Sequence, residues 1–174
     1  PITEPASVTT IMATTSHSSS VRCTPLPSVG NSARSNTAFV RKGFTMPSSE
    51  ETTIAAAVGS ILQLEYPELE VLVVNDGSRD RTLEALRTEL KLVPFPEAYR
   101  QRVATKPVRG IYRSTRFPNV RVIDKENGGK ADASNAGINA ARFPLVCIVD
   151  ADSILERSSL RTAVLALFGG PRTV

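Results

Sequence analysis

The stretch Leu145-Val146-Cys147-Ile148-Val149-Asp150-Ala151-Asp152 decides the fold, because an apolar run meets two carboxylates there. Five consecutive apolar residues are typical of a strand that is buried on both faces in a parallel sheet. Asp150 and Asp152 then fall at the carboxyl edge of the sheet, where open α/β sheets bind ligands. Two carboxylates repel one another unless a cation lies between them, and Mg²⁺ or Mn²⁺ suits such a pair. A solvated turn is the alternative interpretation of Asp-Ala-Asp alone.

A second strand of the same design lies upstream. Val71–Val74 is continuously apolar and runs directly into four residues that favour a sharp turn, namely Asn75, Asp76, Gly77 and Ser78. Ser78 or Asp80 is placed to cap the helix that follows, and this helix carries one apolar stripe. Both strands therefore deliver acids to the same edge of one sheet.

A third segment, Asn127-Gly128-Gly129-Lys130-Ala131-Asp132-Ala133, lies between the two. Gly128 and Gly129 let the backbone approach a ligand closely. Lys130 opens a helix whose N-terminal N–H groups favour anions, so it either meets a diphosphate or is a solvated lysine at a helix start. Asp132 is placed to accept a hydrogen bond from a nucleobase, although an acid near a helix N-terminus is also favourable by itself.

Strands and helices alternate along most of the chain. The predicted elements are a helix after a capping box at Ser48–Glu51, strand Val71–Val74, helix Asp80–Leu90, strand Val120–Ile123, helix Asp132–Ala141, strand Leu145–Val149 and helix Ser158–Phe168. This alternation predicts an α/β fold, a three-layer α/β/α sandwich around a largely parallel, Rossmann-like sheet.

The three segments resemble, in order and spacing, the family 2 glycosyltransferases, whose catalytic domain has the nucleotide-sugar-binding GT-A fold. Asn75–Ser78 resembles the family's nucleotide-contacting strand end, and Asp150-Ala151-Asp152 resembles its metal-binding DxD motif. The run Gly128–Ala133 is similar to a segment of membrane-associated members such as cellulose, chitin and hyaluronan synthases and N-acetylglucosaminyltransferases. The resemblance extends from about Ser48 to about Phe168.

The resemblance implies a UDP-sugar donor, Mg²⁺ or Mn²⁺ as cofactor, and transfer of the sugar to an acceptor hydroxyl that the sequence does not identify. Asp76 would hydrogen-bond the uracil or ribose, Asp150 would contact ribose or metal, and Asp152 would be the metal ligand proper. The metal would bridge oxygens of the departing diphosphate. The implied nucleotide-sugar-binding residues are Asn75, Asp76, Gly77, Ser78, Gly128, Gly129, Lys130, Asp132 and Asp150, and the metal ligands are Asp150 and Asp152.

The chain departs from the family's pattern towards both ends. The family's first strand has its counterpart at Phe39–Met46, where two basic residues replace core residues, so we expect that strand to be damaged or absent. Residues 1–38 are rich in Ser, Thr and Pro without an apolar period, which predicts a disordered segment before a partial, truncated GT-A domain at residues 39–174. The family's catalytic carboxylate lies downstream of the position of Val174, so we assign no catalytic residue and expect the fragment itself to be inactive.

The formal charge is +4, and the basic surplus lies between Glu97 and Asp124. The proline-rich interval predicts a long solvated loop, with contact of residues 100–121 to an anionic membrane surface as the alternative. Its basic residues are Arg100, Arg102, Lys106, Arg109, Arg113, Arg116 and Arg121. Sparse aromatics argue against a nucleic-acid partner. No run reaches the ~20 apolar residues of a membrane span, although the resemblance implies a parent protein at the cytoplasmic side of a membrane.

Three other functions fit parts of this pattern. A non-catalytic nucleotide-binding fragment is favoured by the missing downstream carboxylate. A dinucleotide-binding oxidoreductase is disfavoured, because no Gly-x-Gly-x-x-Gly follows the first clear strand and two strand-end acids would repel a pyrophosphate without a metal. A nucleotidyltransferase of similar architecture would need a glycine-rich, basic loop after its first strand, and none is visible.

Overall fold

The computed structural model describes residues 7–14, 22–25 and 53–169. In chain order, the elements of these residues are β1 (Val8–Thr14), β2 (Arg22–Pro25), α1 (Thr53–Leu62), β3 (Leu69–Asp76), α2 (Thr82–Leu90), β4 (Leu92–Pro94), β5 (Val108–Ser114), β6 (Val120–Lys125), α3 (Lys130–Ala140), β7 (Leu145–Asp150) and α4 (Ser159–Gly169). The predicted elements from Val71 onward are all present within a few residues of their expected bounds.

Within the described ranges, seven strands form one sheet in the order β2-β7-β1-β3-β6-β5-β4. The four central strands, β7, β1, β3 and β6, run parallel to one another. The outer strands β2, β5 and β4 each pair antiparallel with their neighbours. Parallel strands buried on both faces read as continuous apolar runs, which is why β3 and β7 were visible in the sequence.

Helices cover both faces of the sheet. Residues of α1, α2 and α4, including Ile61, Leu86 and Leu160, share one apolar cluster with Val71 and Val73 of β3. On the opposite face, three alanines of α3 pack against the alternate residues of the central strands. The α3 cluster contains Ala133, Ala136, Ala140, Ile11, Leu72, Val74, Ile123 and Val146. The predicted three-layer α/β/α arrangement is therefore confirmed.

The strand β1 comes from the segment that the sequence predicted to be disordered. It lies at the centre of the sheet, between β3 and β7, and Val8 to Met12 are buried. The predicted disorder of residues 1–38 is therefore wrong for Val8–Thr14 and Arg22–Pro25, and a boundary at residue 39 separates β1 from its own sheet. The expected damaged strand at Phe39–Met46 and the capping box at Ser48–Glu51 lie outside the described residues.

Two polar residues explain why β1 could not be identified from a continuous apolar run. Thr9 and Thr10 are both fully buried in the strand. The hydroxyl of Thr9 donates a hydrogen bond to the Glu70 carboxylate at 2.9 Å, which compensates for its burial. Threonine is also β-branched and fits a pleated sheet well.

The basic interval after Glu97 is not the single long loop that the sequence predicted. Val108–Ser114 forms β5, which pairs antiparallel with β6 on one side and β4 on the other. The preceding segment is fastened to α3, because the Asn139 amide oxygen accepts the backbone N–H groups of Arg102 at 2.9 Å and Val103 at 3.0 Å. Antiparallel strands need no continuous apolar run, so β5 gave only a weak signal.

The described helices are short, with nine to eleven residues each. The N-cap position of α2 is Arg81, without a side-chain cap, so neither Ser78 nor Asp80 is the cap that the sequence predicted. Asp80 instead accepts a hydrogen bond from the backbone N–H of Thr82 at 3.0 Å, in the turn that leads into the helix. Crossing a bilayer takes a longer and more apolar helix than any within these ranges.

Candidate functional site

The carboxyl ends of the central parallel strands bring the predicted site residues to one edge of the sheet. Asp76 ends β3, Lys125 ends β6 and Asp150 ends β7. The helix α3 begins at the same edge, directly after Gly128 and Gly129. Three segments that are far apart in the sequence therefore meet at one place, as expected for open α/β sheets.

Asp76 and Asp132 are joined by Lys125, a residue that sequence reasoning did not select. The Lys125 side chain is fully buried, and its Nζ lies 2.6 Å from Asp76 Oδ1 and 2.5 Å from Asp132 Oδ2. The same Nζ donates to the carbonyl oxygen of Glu126 at 2.5 Å. One ammonium thus satisfies two carboxylates and a carbonyl, which is how a buried charge is tolerated.

The remaining contacts of Asp76 hold the glycine turn. Its Oδ1 accepts the N–H of Gly128 at 3.0 Å and its Oδ2 accepts the N–H of Gly129 at 2.7 Å. Asp76 therefore has a fully buried side chain whose oxygens face the protein. Asp76 thus does not present an open carboxylate at this edge, and its direct contact with a nucleotide stays a prediction.

Two glycines in these turns have conformations that other residues rarely adopt. Gly77 has φ +68° and Gly129 has φ +85°. A Cβ added at Gly77 would lie 2.6 Å from the backbone nitrogen of Asn127, so the turn after β3 packs directly against the turn before α3. Gly77 therefore shapes the site through close packing of two backbone segments.

The charges of this cluster stabilise one another. Burial by itself would lower the pKa of Lys125, but hydrogen bonds to Asp132 and Asp76 outweigh it and raise that pKa above its ordinary value. Burial would likewise raise the pKa of Asp132, but the hydrogen bonds from Lys125 and from the Lys106 backbone N–H hold it below its ordinary value. Lys125 and Asp132 are therefore both ionised at neutral pH.

Lys130 and Asp150 meet across the edge. Lys130 Nζ lies 2.5 Å from Asp150 Oδ1, with the lysine side chain one-third exposed and the aspartate nearly buried. Asp152 follows in an exposed turn, in which the N–H of Ser153 donates to the carbonyl oxygen of Asp150 at 3.0 Å. An ammonium, two carboxylates and the N-terminus of α3 thus lie at one edge.

The donor set fits a divalent metal that has few protein ligands. The Lys130 ammonium contacts Asp150, so this carboxylate already lies against one positive charge. Among the residues that the structure describes, no three His, Cys, Asp or Glu side chains group closely enough to hold a metal by themselves. Mg²⁺ and Mn²⁺ accept such a site, since water and substrate phosphate oxygens complete their coordination.

The other predicted site residues have structural contacts. The Asn75 side chain is buried and donates to Asp124 Oδ1 at 2.7 Å. Ser78 is half-buried in the turn after β3. Asp124, Lys125 and Asn127 were not predicted as site residues, although a polar pair directly after the predicted strand Val120–Ile123 is the signal that Asp76 also gave.

A separate open cavity lies elsewhere, between β5 and the segment that follows β4. Its volume is about 710 Å³, and its lining includes Arg87, Tyr99, Arg109 and Tyr112. None of the predicted nucleotide or metal residues lines it. The chemistry of the strand-end carboxylates, and not the size of a cavity, therefore locates the candidate site.

Comparison with known proteins gives concordant results. Over 109 residues the chain is 31% identical to a poly-beta-1,6-N-acetyl-D-glucosamine synthase of Staphylococcus epidermidis, which covers 62% of this chain and 20% of that protein. Over 112 residues it is 29% identical to the enzyme of the same name from Staphylococcus aureus strain COL, which covers 64% of this chain and 21% of that protein. The chain thus spans about a fifth of the length of these curated relatives.

A solved structure has a similar fold. The mannosyltransferase PcManGT from Pyrobaculum calidifontis, in complex with GDP-Man and Mn²⁺, superposes with a TM-score of 0.60 at 22% identity, covering 99% of this chain and 34% of that chain. This likeness bears on the fold and confirms the GT-A type of α/β architecture. Residues 48–174 match the family model described as Glycosyl transferase family 2. Since this match spans well over half of the sequence, the chain belongs to glycosyl transferase family 2.

Proposed function

We propose that this chain is the donor-binding part of a glycosyltransferase that binds a UDP-sugar with Mg²⁺ or Mn²⁺ and transfers the sugar to an acceptor hydroxyl. The observation that carries the proposal is the ion pair of Lys130 and Asp150 at the carboxyl edge, with Asp152 two residues further on. A diphosphate and a divalent metal need complementary charges at one place, and this edge supplies both signs. The relatives named above are polysaccharide synthases, and the solved mannosyltransferase holds a nucleotide sugar with Mn²⁺.

Each side chain has a defined task in this proposal. Asp150 and Asp152 would hold the metal, which would supply Lewis-acid stabilisation of the leaving diphosphate. Lys130 and the N–H groups of the first turn of α3 would bind the diphosphate oxygens. Asp76 would act on the nucleotide through the Gly128–Gly129 turn that it holds.

The proposal is tested by titrating UDP into the chain by calorimetry, with Mn²⁺ and again with EDTA. Since the carboxylates need a cation before they tolerate a diphosphate, we expect UDP to bind about tenfold or more weakly in EDTA. Asp152→Ala should abolish the metal-dependent part of the affinity. Asp76→Ala should weaken the binding of UDP more than the binding of inorganic pyrophosphate, because the uridine contacts depend on the glycine turn that Asp76 holds.

Glu156→Ala is the matched control, because it removes an exposed acid four residues after Asp152. It should leave UDP affinity unchanged with and without Mn²⁺. A titration of GDP under the same conditions, compared with that of UDP, measures the preference of the site for one nucleobase over the other. Equal UDP affinity in Mn²⁺ and in EDTA would contradict the proposal.

A nucleotide-binding fragment without transferase activity is the alternative. Asp132 and Asp150 each pair with a lysine ammonium, and the lowered pKa of Asp132 makes it a weak general base. We therefore expect UDP-sugar turnover no faster than that of a variant carrying Asp150→Asn and Asp152→Asn. Metal-dependent turnover well above this variant would exclude the inert fragment.

An anionic membrane surface is a further proposed partner of the basic interval. Arg100, Arg102, Lys106, Arg109, Arg113 and Arg116 are all exposed, and such residues contribute about 1 kcal/mol each near anionic lipid. Arg121 is excluded from this surface, since it is buried against Glu70 and Glu97. Co-sedimentation with vesicles containing phosphatidylserine, but not with phosphatidylcholine alone, is the expected result. Equal sedimentation with both would exclude an electrostatic contact.

A further inference from the structure

Lys130 and a metal ion compete for the same carboxylate. We infer that Lys130 makes the site selective for a metal–nucleotide complex over a bare metal ion. When metal and nucleotide bind together, the Lys130 ammonium moves from Asp150 to the diphosphate. This inference rests on the proposed function. Lys130 is then a specificity-determining residue with two alternative partners, Asp150 and the diphosphate.

The contact between Lys130 and Asp150 carries the first step. Asp150 is only 6% exposed, and its Oδ1 lies 2.5 Å from Lys130 Nζ. A bare divalent ion must therefore displace an ammonium from a nearly buried carboxylate. Displacement leaves the lysine charge close to the metal, and two like charges at such a distance repel one another.

The small number of protein ligands carries the second step. Asp150 and Asp152 are not joined by a third acid, histidine or cysteine within the described part of the chain. From the described residues a bare metal would thus gain at most two carboxylates, and it would share the Asp150 carboxylate with Lys130. Diphosphate oxygens complete the coordination of the metal and at the same time give Lys130 a new anionic partner.

The geometry of Lys130 allows the exchange without a change in the fold. Its backbone is fixed as the first residue of α3, after the turn that Asp76 holds through Gly128 and Gly129. Its side chain is 33% exposed, so the ammonium can rotate on a flexible stem of four carbons. The movement is a change of side-chain rotamer at a fixed helix start.

The exchange is tested with Lys130→Met, which keeps a similar helix propensity and stem but removes the charge. Binding of bare Mn²⁺ is measured from the electron paramagnetic resonance signal of the free ion, on the full chain without nucleotide. Binding of UDP is then measured by calorimetry at saturating Mn²⁺. Lys106→Met is the matched control, since it removes an exposed lysine charge close to Asp132, whereas the hydrogen bond to Asp132 comes from the Lys106 backbone and is kept.

The two affinities should move in opposite directions in Lys130→Met. Bare Mn²⁺ should bind about three- to tenfold more tightly, because the competing ammonium is gone. UDP at saturating Mn²⁺ should bind roughly tenfold more weakly, because the diphosphate loses a charged donor. Lys106→Met should shift both affinities slightly and in the same direction. Far-ultraviolet circular dichroism checks that the variants are folded.

The outcomes separate this inference from the proposed function. The wild-type chain could bind UDP only with Mn²⁺ while Lys130→Met weakens the binding of both Mn²⁺ and UDP. Lys130 would then bind anions without competing for the metal site, and the exchange would be wrong. Unchanged Mn²⁺ affinity in Lys130→Met overturns the exchange in the same way. If the wild-type chain shows no Mn²⁺-dependent UDP binding, the proposed function fails and the exchange fails with it.

Discussion

Lys125 illustrates how a single side chain organises the candidate site. Its ammonium joins the end of β3, through Asp76, to the first turn of α3, through Asp132. Asp76 then fixes the two glycine N–H groups that precede Lys130. The position of Lys130, and therefore its contact with Asp150, depends on the buried charge of Lys125.

The ionisation of this cluster predicts a pH dependence of stability. The pKa of Asp132 is held below its ordinary value, so its pairing with Lys125 stabilises the fold at any pH above that ordinary pKa. This stabilisation is lost as the pH falls through the pKa that Asp132 has in the folded chain. The stability difference between the wild-type chain and Asp132→Asn should therefore be constant near neutral pH and should shrink below about pH 4. Urea unfolding at a series of pH values measures this difference. A difference that stays constant down to about pH 2.5 would show that Asp132 gains nothing from Lys125.

At the scale of elements, the sequence was informative where local pattern alone determines structure. β3 and β7 are buried on both faces and continuously apolar at their centres, so these strands and their terminal acids could be identified without knowing their neighbours. β1 could not, because the partners that make Thr9 acceptable in the core, Glu70 and the Phe143 N–H, are 61 and 134 residues away in the sequence. Lys125 was missed for the same reason, since its partners follow from the pairing of β3 with β6.

Gly137 provides a test of the unexpected position of β1. At an exposed helix position, Gly→Ala stabilises a protein by about 1 kcal/mol. Here an added Cβ would lie 2.5 Å from Cγ2 of Ile11, because α3 packs closely on β1. We therefore expect Gly137→Ala to destabilise the chain by about 1–3 kcal/mol, as overpacking does.

A double-mutant cycle with Ile11→Ala identifies the cause, because removing the Ile11 side chain creates the space that the new methyl group needs. The double variant should be more stable than the sum of the single effects by about 0.5–3 kcal/mol. Chemical unfolding of the four proteins gives these values. A stabilising Gly137→Ala, or strict additivity, would mean that β1 does not lie beneath α3.

At the scale of the whole molecule, the two ends of the parallel strands have different polar clusters. The carboxyl end carries the candidate site. Towards the amino end, the buried Glu70 accepts from Arg121 Nη2 at 2.6 Å, from the Thr9 hydroxyl at 2.9 Å and from the Arg142 N–H at 3.1 Å. Glu97 accepts from both arginines, and their hydrogen bonds outweigh the effect of burial and lower its pKa. This second cluster ties β1, β3, β6 and the end of α3 together.

The separation of the two ends predicts that stability and binding can be changed independently. Glu70→Ala should cost about 3–5 kcal/mol, because Arg121 would remain buried after losing the buried carboxylate that accepts two of its N–H groups. Glu97→Ala removes another carboxylate from the same arginine, but its side chain is 27% exposed, so we expect a loss of about 1 kcal/mol or less. Below the unfolding transition, Mn²⁺-dependent UDP affinity should be unchanged in both variants, since Glu70 and Asp76 are six residue steps, roughly 20 Å, apart along β3. Urea unfolding and calorimetry on the same samples test both expectations. Equal stability losses in the two variants, or a loss of UDP affinity in folded Glu70→Ala, would show that the two ends act as one unit.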